Sequence, residues 1–490
     1  MYPERWYARF PLCLLLIAVL LALSFTLSGE FGSHPAHSQT TSSPEQTVKV
    51  RLPLVLRNLD WPTPFGVEIN SRNPFTSTLV ERAQDLGTRW VRFHRLSWRE
   101  VQPEEGGPYD WSALSTFEAE LRNTRQAGMI PMVLVHHSPL WATINEPGPT
   151  DCGAIRVDKL PAFAAFMRAA VNRYKQPEFG VHYWELFNEP DVDPTLVRAD
   201  NVFGCWGDID DPYYGGQHYG KMLKVVTPVI KAADPSAKVI AGGLLLARPV
   251  PDPGEGHPER FLEGILLSGA APHFDMVAYH AYPSYVGINF DYDQMPSPWQ
   301  SLGGWTLGKA RFIRQTMANV GVSKPLLLNE TALGCDPNWY GCDPAPPDFF
   351  EAQASFVVRT WTRARSEDIQ GFIWYTLDGP GWRDVGLLNA DYTPRPAYIA
   401  YQQLVSHTNR SRFEAPVDYG SDVEAYSFVR ETDRVHVAWS TDTISDAIYV
   451  PQSEFLAAYD REGNPISPVE AGTDYQFTVG FSPIYLHLRR

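Results

Sequence analysis

Two glutamates stand out by their neighbours. Glu189 lies in Trp184-Glu185-Leu186-Phe187-Asn188-Glu189-Pro190-Asp191 and Glu330 in Leu328-Asn329-Glu330-Thr331, so that each follows an Asn at the end of an apolar run. Cleavage of a glycosidic bond needs such a pair. One carboxyl stays protonated to donate to the leaving oxygen, and one stays ionised to attack the anomeric carbon or to activate a water. Carboxyls about 5–5.5 Å apart give retention, and about 6.5–9.5 Å apart they admit a water and give inversion. The sequence carries no distance. A lone Glu at a strand end is usually solvated or ion-paired, but two in matched settings favour the catalytic reading.

The elements that must position them can be read along the chain. From about 62 to 406, short apolar strands alternate with amphipathic helices, which implies βαβ units and a parallel sheet. Eight strands are predicted at Phe65–Ile69, Trp90–Phe93, Ile130–Val135, Val181–Phe187, Val239–Ala241, Phe274–Tyr279, Pro325–Leu328 and Gly371–Tyr375. Helical periodicity marks Leu160–Tyr174, Gly220–Ala233, Lys309–Val320 and Phe349–Arg365. Eight units predict a (β/α)8 barrel, in which residues at the C-terminal strand ends meet at one mouth. Glu189 would then close strand four and Glu330 strand seven. An open doubly wound sheet is the alternative, but no Gly-rich phosphate fingerprint follows the first strand. Beyond about 410 the pattern turns to short β-rich runs, Val423–Val429, Arg434–Trp439, Phe455–Tyr459, Tyr475–Val479 and Ile484–Leu488, separated by Gly, Asp, Ser and Pro. They predict a small antiparallel β-sandwich. The expected division is a leader at 1–28, a linker at 29–61, the barrel at 62–409 and the sandwich at 410–490.

Trp184–Asp191 resembles the acid/base signature of the clan of (β/α)8 retaining glycoside hydrolases, most closely glycoside hydrolase family 39, and the chain is similar also to family 5 cellulase-type barrels. Val91-Arg92-Phe93-His94 resembles that family's second strand and Asp275–Pro283 its sixth. Trp374, followed by Gly386-Leu387-Leu388 and Pro394-Arg395-Pro396-Ala397-Tyr398, resembles the usual end of these barrels. The resemblance covers about 340 residues and implies a β-linked glycan substrate of xylan or glucan type. It implies Glu189 as acid/base, Glu330 as nucleophile and Asn188 as the partner of the sugar 2-hydroxyl. It also implies Arg92 and Tyr282 beside the nucleophile, His280 in the same subsite and Trp374 as its floor. Arg95 stands where the family has a small residue, which would narrow the site near strand two.

Other residues call for their plainer reading. His136 and His137 adjoin on a strand, so one is expected to line the cleft (His136) and the other to pack behind it; no metal is expected. Glu185 should make an inward ion pair below Glu189. Glu68 on strand one is an outside candidate for substrate contact. Trp206, Tyr213 and Tyr214 fit sugar stacking or local packing equally. Asn329-Glu330-Thr331 matches a glycosylation sequon, which a glycan at the barrel mouth would make self-defeating. Two carboxylates suffice for the chemistry, so no cofactor is implied.

The chain has 490 residues and a formal net charge of −15, without the clustered Lys and Arg that nucleic acid requires. Arg5 and Arg9 precede the apolar run Pro11–Leu27, which reads as a secretory signal, with Ala36-His37-Ser38 as one processing site. An uncleaved membrane anchor is the alternative. Residues 28 to about 60 read as a Ser/Thr/Pro/Gln-rich linker. Beyond Cys13 there remain Cys152, Cys205, Cys335 and Cys342, an even number that suits an exported protein. Cys335 with Cys342 and Cys152 with Cys205 are the candidate bridges, against free thiols. An inactive carbohydrate-binding barrel and a transglycosylase compete with the hydrolase reading.

Overall fold

Eight parallel strands close on themselves. The computed structural model describes residues 63–490 except 71–72, 145–151, 199–200, 252–253, 289, 339–340 and 443; the expected signal, anchor and linker lie outside the described residues. Strands β1 (Phe65–Glu68), β2 (Trp90–Ser97), β3 (Ile130–His136), β4 (Tyr183–Leu186), β5 (Lys238–Leu244), β6 (Met276–Ala281), β7 (Leu326–Thr331) and β8 (Gly371–Trp374) pair in sequence order, and β8 returns to β1. All eight predicted strands are present. The C-terminal ends moved most at β2, β5 and β7, by three or four residues, because an apolar-run reading stops at the first polar side chain or glycine.

The barrel helices are α1 (Ser77–Asp85), α2 (Ser115–Gln126), α3 (Leu160–Tyr174), α4 (Gly216–Ala233), α5 (Phe261–Leu267), α6 (Gly304–Ala318), α7 (Pro347–Ser366) and α8 (Pro396–Thr408). In α3, Phe163, Phe166, Met167, Ala170, Val171 and Tyr174 recur every three or four residues and are buried, which lays one apolar stripe on the sheet. Among the described residues no helix is long and apolar enough to cross a membrane.

Strand alternation divides the barrel into two layers of contact. Trp184 of β4 joins the apolar layer between sheet and helices. Its neighbour Tyr183 points inward, edge-on to Trp90 of β2 with ring centroids 4.7 Å apart. That floor of bulky side chains supports the polar layer above it, where Glu185 follows Tyr183 by two residues.

The C-terminal part has eight strands: β9 (Arg412–Pro416), β10 (Val423–Val429), β11 (Arg434–Ser440), β12 (Asp446–Pro451), β13 (Phe455–Tyr459), β14 (Val469–Ala471), β15 (Asp474–Val479) and β16 (Ile484–Leu488). They form one sheet in the order β13-β16-β11-β10-β9 and another in the order β12-β15-β14. The three strands that sequence reading missed, β9, β12 and β14, all lie at sheet edges. Edge strands carry charged and Pro residues and a weak apolar signal. Period-two alternation sends Val435, Val437, Trp439 and Tyr485 into the barrel's core, while Ala438, Ile484, Leu486 and Leu488 pack between the sheets. Phe428 meets Trp361 of α7 at 5.9 Å, and burial of such a ring contributes about 2–3 kcal/mol. Both candidate bridges form, Cys152–Cys205 and Cys335–Cys342.

Candidate active site

The polar layer is built on Arg92. From β2 its guanidinium crosses the barrel and donates to Glu185 of β4 through two nitrogens, at 2.7 and 2.9 Å. It also donates to Glu68 of β1, to Glu330 of β7 and to the Asn188 amide oxygen, the last at 2.9 Å. Arg92 is fully buried, so each contact is made without competing water. Glu185 makes the inward ion pair expected of it. Glu68, the outside candidate on β1, is 1% exposed and is a partner of Arg92 in this layer.

Glu189 and Glu330 meet above this layer. Glu330 accepts from Tyr282 Oη at 2.7 Å and from Arg92. His280 Nδ1 stands 2.8 Å from Glu189 Oε1 and 3.4 Å from Glu330 Oε2. One oxygen of each carboxylate and one His280 ring nitrogen all lie within 4.8 Å of one another. Among the described residues this is also the one group whose donor types and spacing would admit a cation. Asn188 is buried, with its amide nitrogen 3.3 Å from Val202 O.

The chain holds Glu189 here at a local cost. Phe187 (φ +66°) and Glu189 (φ +42°) are both left-handed, a conformation worth roughly 1–2 kcal/mol per residue against a non-glycine side chain. Glu189 N–H donates to Gly243 O at 3.0 Å, and the Phe187 ring packs against Phe163 and edge-on against Trp206. Trp206 and Tyr214 are buried, so these two rings are packing that fastens the Glu189 loop and not a sugar platform, while Tyr213 is half-buried under the Arg260 guanidinium. Gly243 itself sits at φ +71°, and a Cβ there would stand 2.3 Å from Glu185 Oε1. Only glycine lets β5 pass this close.

Burial pushes Glu189 well above the ordinary glutamate range, with repulsion from Glu330 and Asp191 adding to it against Lys309 and Arg92. Burial also raises Glu330, but Arg92 and the Tyr282 hydroxyl pull it back. Glu189 is therefore the carboxyl that more readily keeps a proton. Burial, then Arg92 and Lys309, hold His280 well below the ordinary imidazole range, so it is neutral.

The structure corrects several sequence expectations. Trp374 does not floor the site: it is fully buried, packs against Phe356 of α7 and donates to Val385 O. Alternation on β8 turns the next residue, Tyr375, inward, where its ring faces Tyr282 at 6.3 Å; Trp382 faces Tyr282 at 5.7 Å. Arg95 does not narrow the mouth, because it reaches out to the Asn70 and Asn73 carbonyls and to Glu120 of α2. His136 and His137 do not face opposite ways. The strand ends at His136, His137 is left-handed at φ +49°, and the two rings lie 4.0 Å apart. His136 also meets His94 at 4.4 Å on the rim. Asn329 is wholly buried, which leaves the sequon no room for a glycan. Sequence reading missed Tyr375, His94 and Lys309; the only signal for Lys309 was a lysine on the apolar face of a predicted helix.

No family model and no curated protein matches the sequence. Solved structures do match the fold. A family 39 glycoside hydrolase from Bacteroides cellulosilyticus WH2 aligns over 87% of this chain and 81% of its own, with a TM-score of 0.65 and 18% identity. A conserved exported protein from Bacteroides fragilis aligns over 86% and 96%, at 0.63 and 14% identity. A family 30 subfamily 8 xylanase, Xyn30A from Clostridium acetobutylicum, aligns over 87% and 97%, at 0.60 and 14% identity. The chain thus has the architecture of the (β/α)8 glycoside hydrolases, with the barrel and the β-sandwich that its sequence implied.

Proposed function

We propose that the protein is an exported retaining glycoside hydrolase that cleaves a β-linked glycan of xylan or glucan type. The observation that carries this reading is the meeting of Glu189 and Glu330, from the ends of β4 and β7, with carboxylate oxygens within 4.8 Å around His280. One oxygen from each carboxylate within 4.8 Å is compatible with the roughly 5–5.5 Å separation of a retaining pair.

In the first step Glu330 attacks the anomeric carbon while Glu189 protonates the departing oxygen. In the second, Glu189 takes a proton from water, which releases the sugar from Glu330 with retained configuration. Arg92 and Tyr282 each bond Glu330 and favour its ionised form. Burial and the neighbouring carboxylates favour the proton on Glu189. Asn188, held by Arg92, is the partner of the 2-hydroxyl, and Tyr375, Tyr282, Trp382 and His136 line the sugar's bed. Kinship of fold with a xylanase supports the substrate class, and the N-terminal apolar run supports export.

The test is to assay aryl β-glycosides and β-glycans with the native protein, Glu330→Gln and Glu189→Ala. Glu330→Gln should lose several orders of magnitude in rate. Azide should rescue Glu189→Ala on an activated aryl glycoside and yield a glycosyl azide of retained configuration. Unchanged turnover by Glu330→Gln would sink the assignment, and transfer to an added sugar acceptor in place of water would mark a transglycosylase.

A further inference from the structure

A buried lysine behind the site has no part in the chemistry just described. Lys309 of α6 is 2% exposed. Its ammonium donates to the main-chain oxygen of Leu245 at 2.6 Å and to that of His280 at 2.8 Å. Trp299 and Trp305 flank it, with ring centroids 5.7 and 5.2 Å from Nζ. Burial pulls the Lys309 amine down to about 7 against the pull of Asp191 and Glu189, a cost that a position serving packing alone would avoid with an apolar residue.

The two carbonyls belong to opposite supports of Glu189. His280 meets Glu189 directly through Nδ1. Leu245 belongs to the segment that Asp191 grips, since the Asp191 carboxylate accepts from the Leu245 and Leu246 N–H groups at 2.8 Å each. Leu246 is left-handed at φ +47°, a conformation that this grip sustains. Asp191 is two residues from Glu189. A closed ring results, running from Glu189 to His280, through Lys309 to Leu245, through Asp191 and back to Glu189.

We propose that Lys309, with Asp191, is a positioning residue that fixes the acid/base carboxyl by tying the β6 strand end to the segment after β5. The proposal rests on Glu189 being the acid/base. A loose ring lets Glu189 drift from the leaving oxygen while Glu330, fastened separately by Arg92 and Tyr282, stays in place. Both hydrogen bonds of Lys309 go to main-chain oxygens, so beyond the pull of its charge on Glu189 its influence passes through His280 and Asp191.

Leaving groups separate this role from a general structural one. Departure of 2,4-dinitrophenolate needs no proton, whereas departure of unsubstituted phenolate does. We expect Lys309→Met to lower kcat/KM on the phenyl β-glycoside about tenfold or more beyond any loss on the 2,4-dinitrophenyl β-glycoside of the same sugar. Asp191→Asn should show the same imbalance, and it carries the comparison if Lys309→Met does not fold. Equal losses on both substrates in either folded variant overturn the proposal while native activity and the Glu330→Gln defect still uphold the hydrolase. If Glu330→Gln is fully active, or the native enzyme cleaves no aryl glycoside, the hydrolase reading and the positioning role fall together.

Discussion

Two buried arginines, Arg92 in the barrel mouth and Arg363 at the seam with the β-sandwich, solve opposite problems. Arg92 faces three carboxylates alone, Glu68, Glu185 and Glu330. Arg363 of α7 grips Asp291 through two nitrogens, at 2.8 and 2.6 Å, and Glu424 of β10, while Arg359 lies one turn away beside Trp439. At the seam two arginines face three carboxylates, since Asp293 lies 3.9 Å from Arg363; Asp291 is held below the ordinary aspartate range although burial alone would raise it, while burial pushes Asp293 up to about 6. In the mouth the carboxylates outnumber the cation, and burial with mutual repulsion holds Glu68 well above the ordinary range despite Arg92. Positive charge is thus scarcer in the mouth, with one arginine to three carboxylates, than at the seam, with two to three. Shortage of cation favours a retained proton in the mouth, which is what the proposed acid–base chemistry requires.

The comparison breaks most visibly at Arg92. Arg92→Met leaves three carboxylates facing each other and frees Glu330, so we expect activity to fall on the order of 10²–10³-fold, read as kcat/KM on an aryl glycoside. Recovery of most of that activity by Arg92→Met would deny the guanidinium its role.

Arg363→Met strands Asp291 and Glu424 instead and should lower unfolding stability by about 3–5 kcal/mol in denaturant titration. Its kcat/KM profile against pH should keep the native shape, since Asp291, Asp293 and Glu424 make no contact with Glu189 or Glu330. A profile that shifts with Arg363→Met would erase the distinction between the two regions.

The native pH profile sharpens the same point. The proposed mechanism needs Glu330 ionised and Glu189 protonated, and both are raised, Glu189 further. The acid limb of kcat/KM should therefore lie above the ordinary glutamate range, with the basic limb higher still. An acid limb at or below the range of a free glutamate would contradict the crowding of carboxylates around Glu330.

The smallest expected effect is at Asp291. Because its folded pKa lies below the unfolded value, its contribution is complete above the unfolded pKa and disappears as pH falls through the folded one. Asp291→Asn should cost about 1–3 kcal/mol at neutral pH, and the gap from the native protein should close in acid. A gap that stays constant from neutral to acidic pH would remove the charge from the account.

Much of the site was legible in the chain because barrels place function at strand ends. Strand order placed Glu189 and Glu330 at the mouth, the family resemblance added Asn188, Arg92, His280 and Tyr282, and the structure brings these six side chains together. Trp374 failed by one residue, and in a strand one residue exchanges the inner face for the outer. Arg95 and His137 failed where β2 carries an irregularity and β3 ends, since alternation holds only inside regular strands. The edge strands β9, β12 and β14 escaped because their pairing partners, more than their own composition, make them strands.

The sequence by itself determined the order of barrel strands, the two glutamates at the ends of the fourth and seventh, and the pairing of cysteines as candidates. These are local or periodic properties, carried by neighbours within a few residues. The tertiary structure alone decided that Arg92 serves three carboxylates, that Tyr375 displaces Trp374 at the mouth, and that Lys309 joins His280 to the segment held by Asp191. Each of those depends on side chains meeting across non-adjacent strands or between helix and sheet. Burial then sets their protonation, and burial is a property of the closed barrel and of no segment within it.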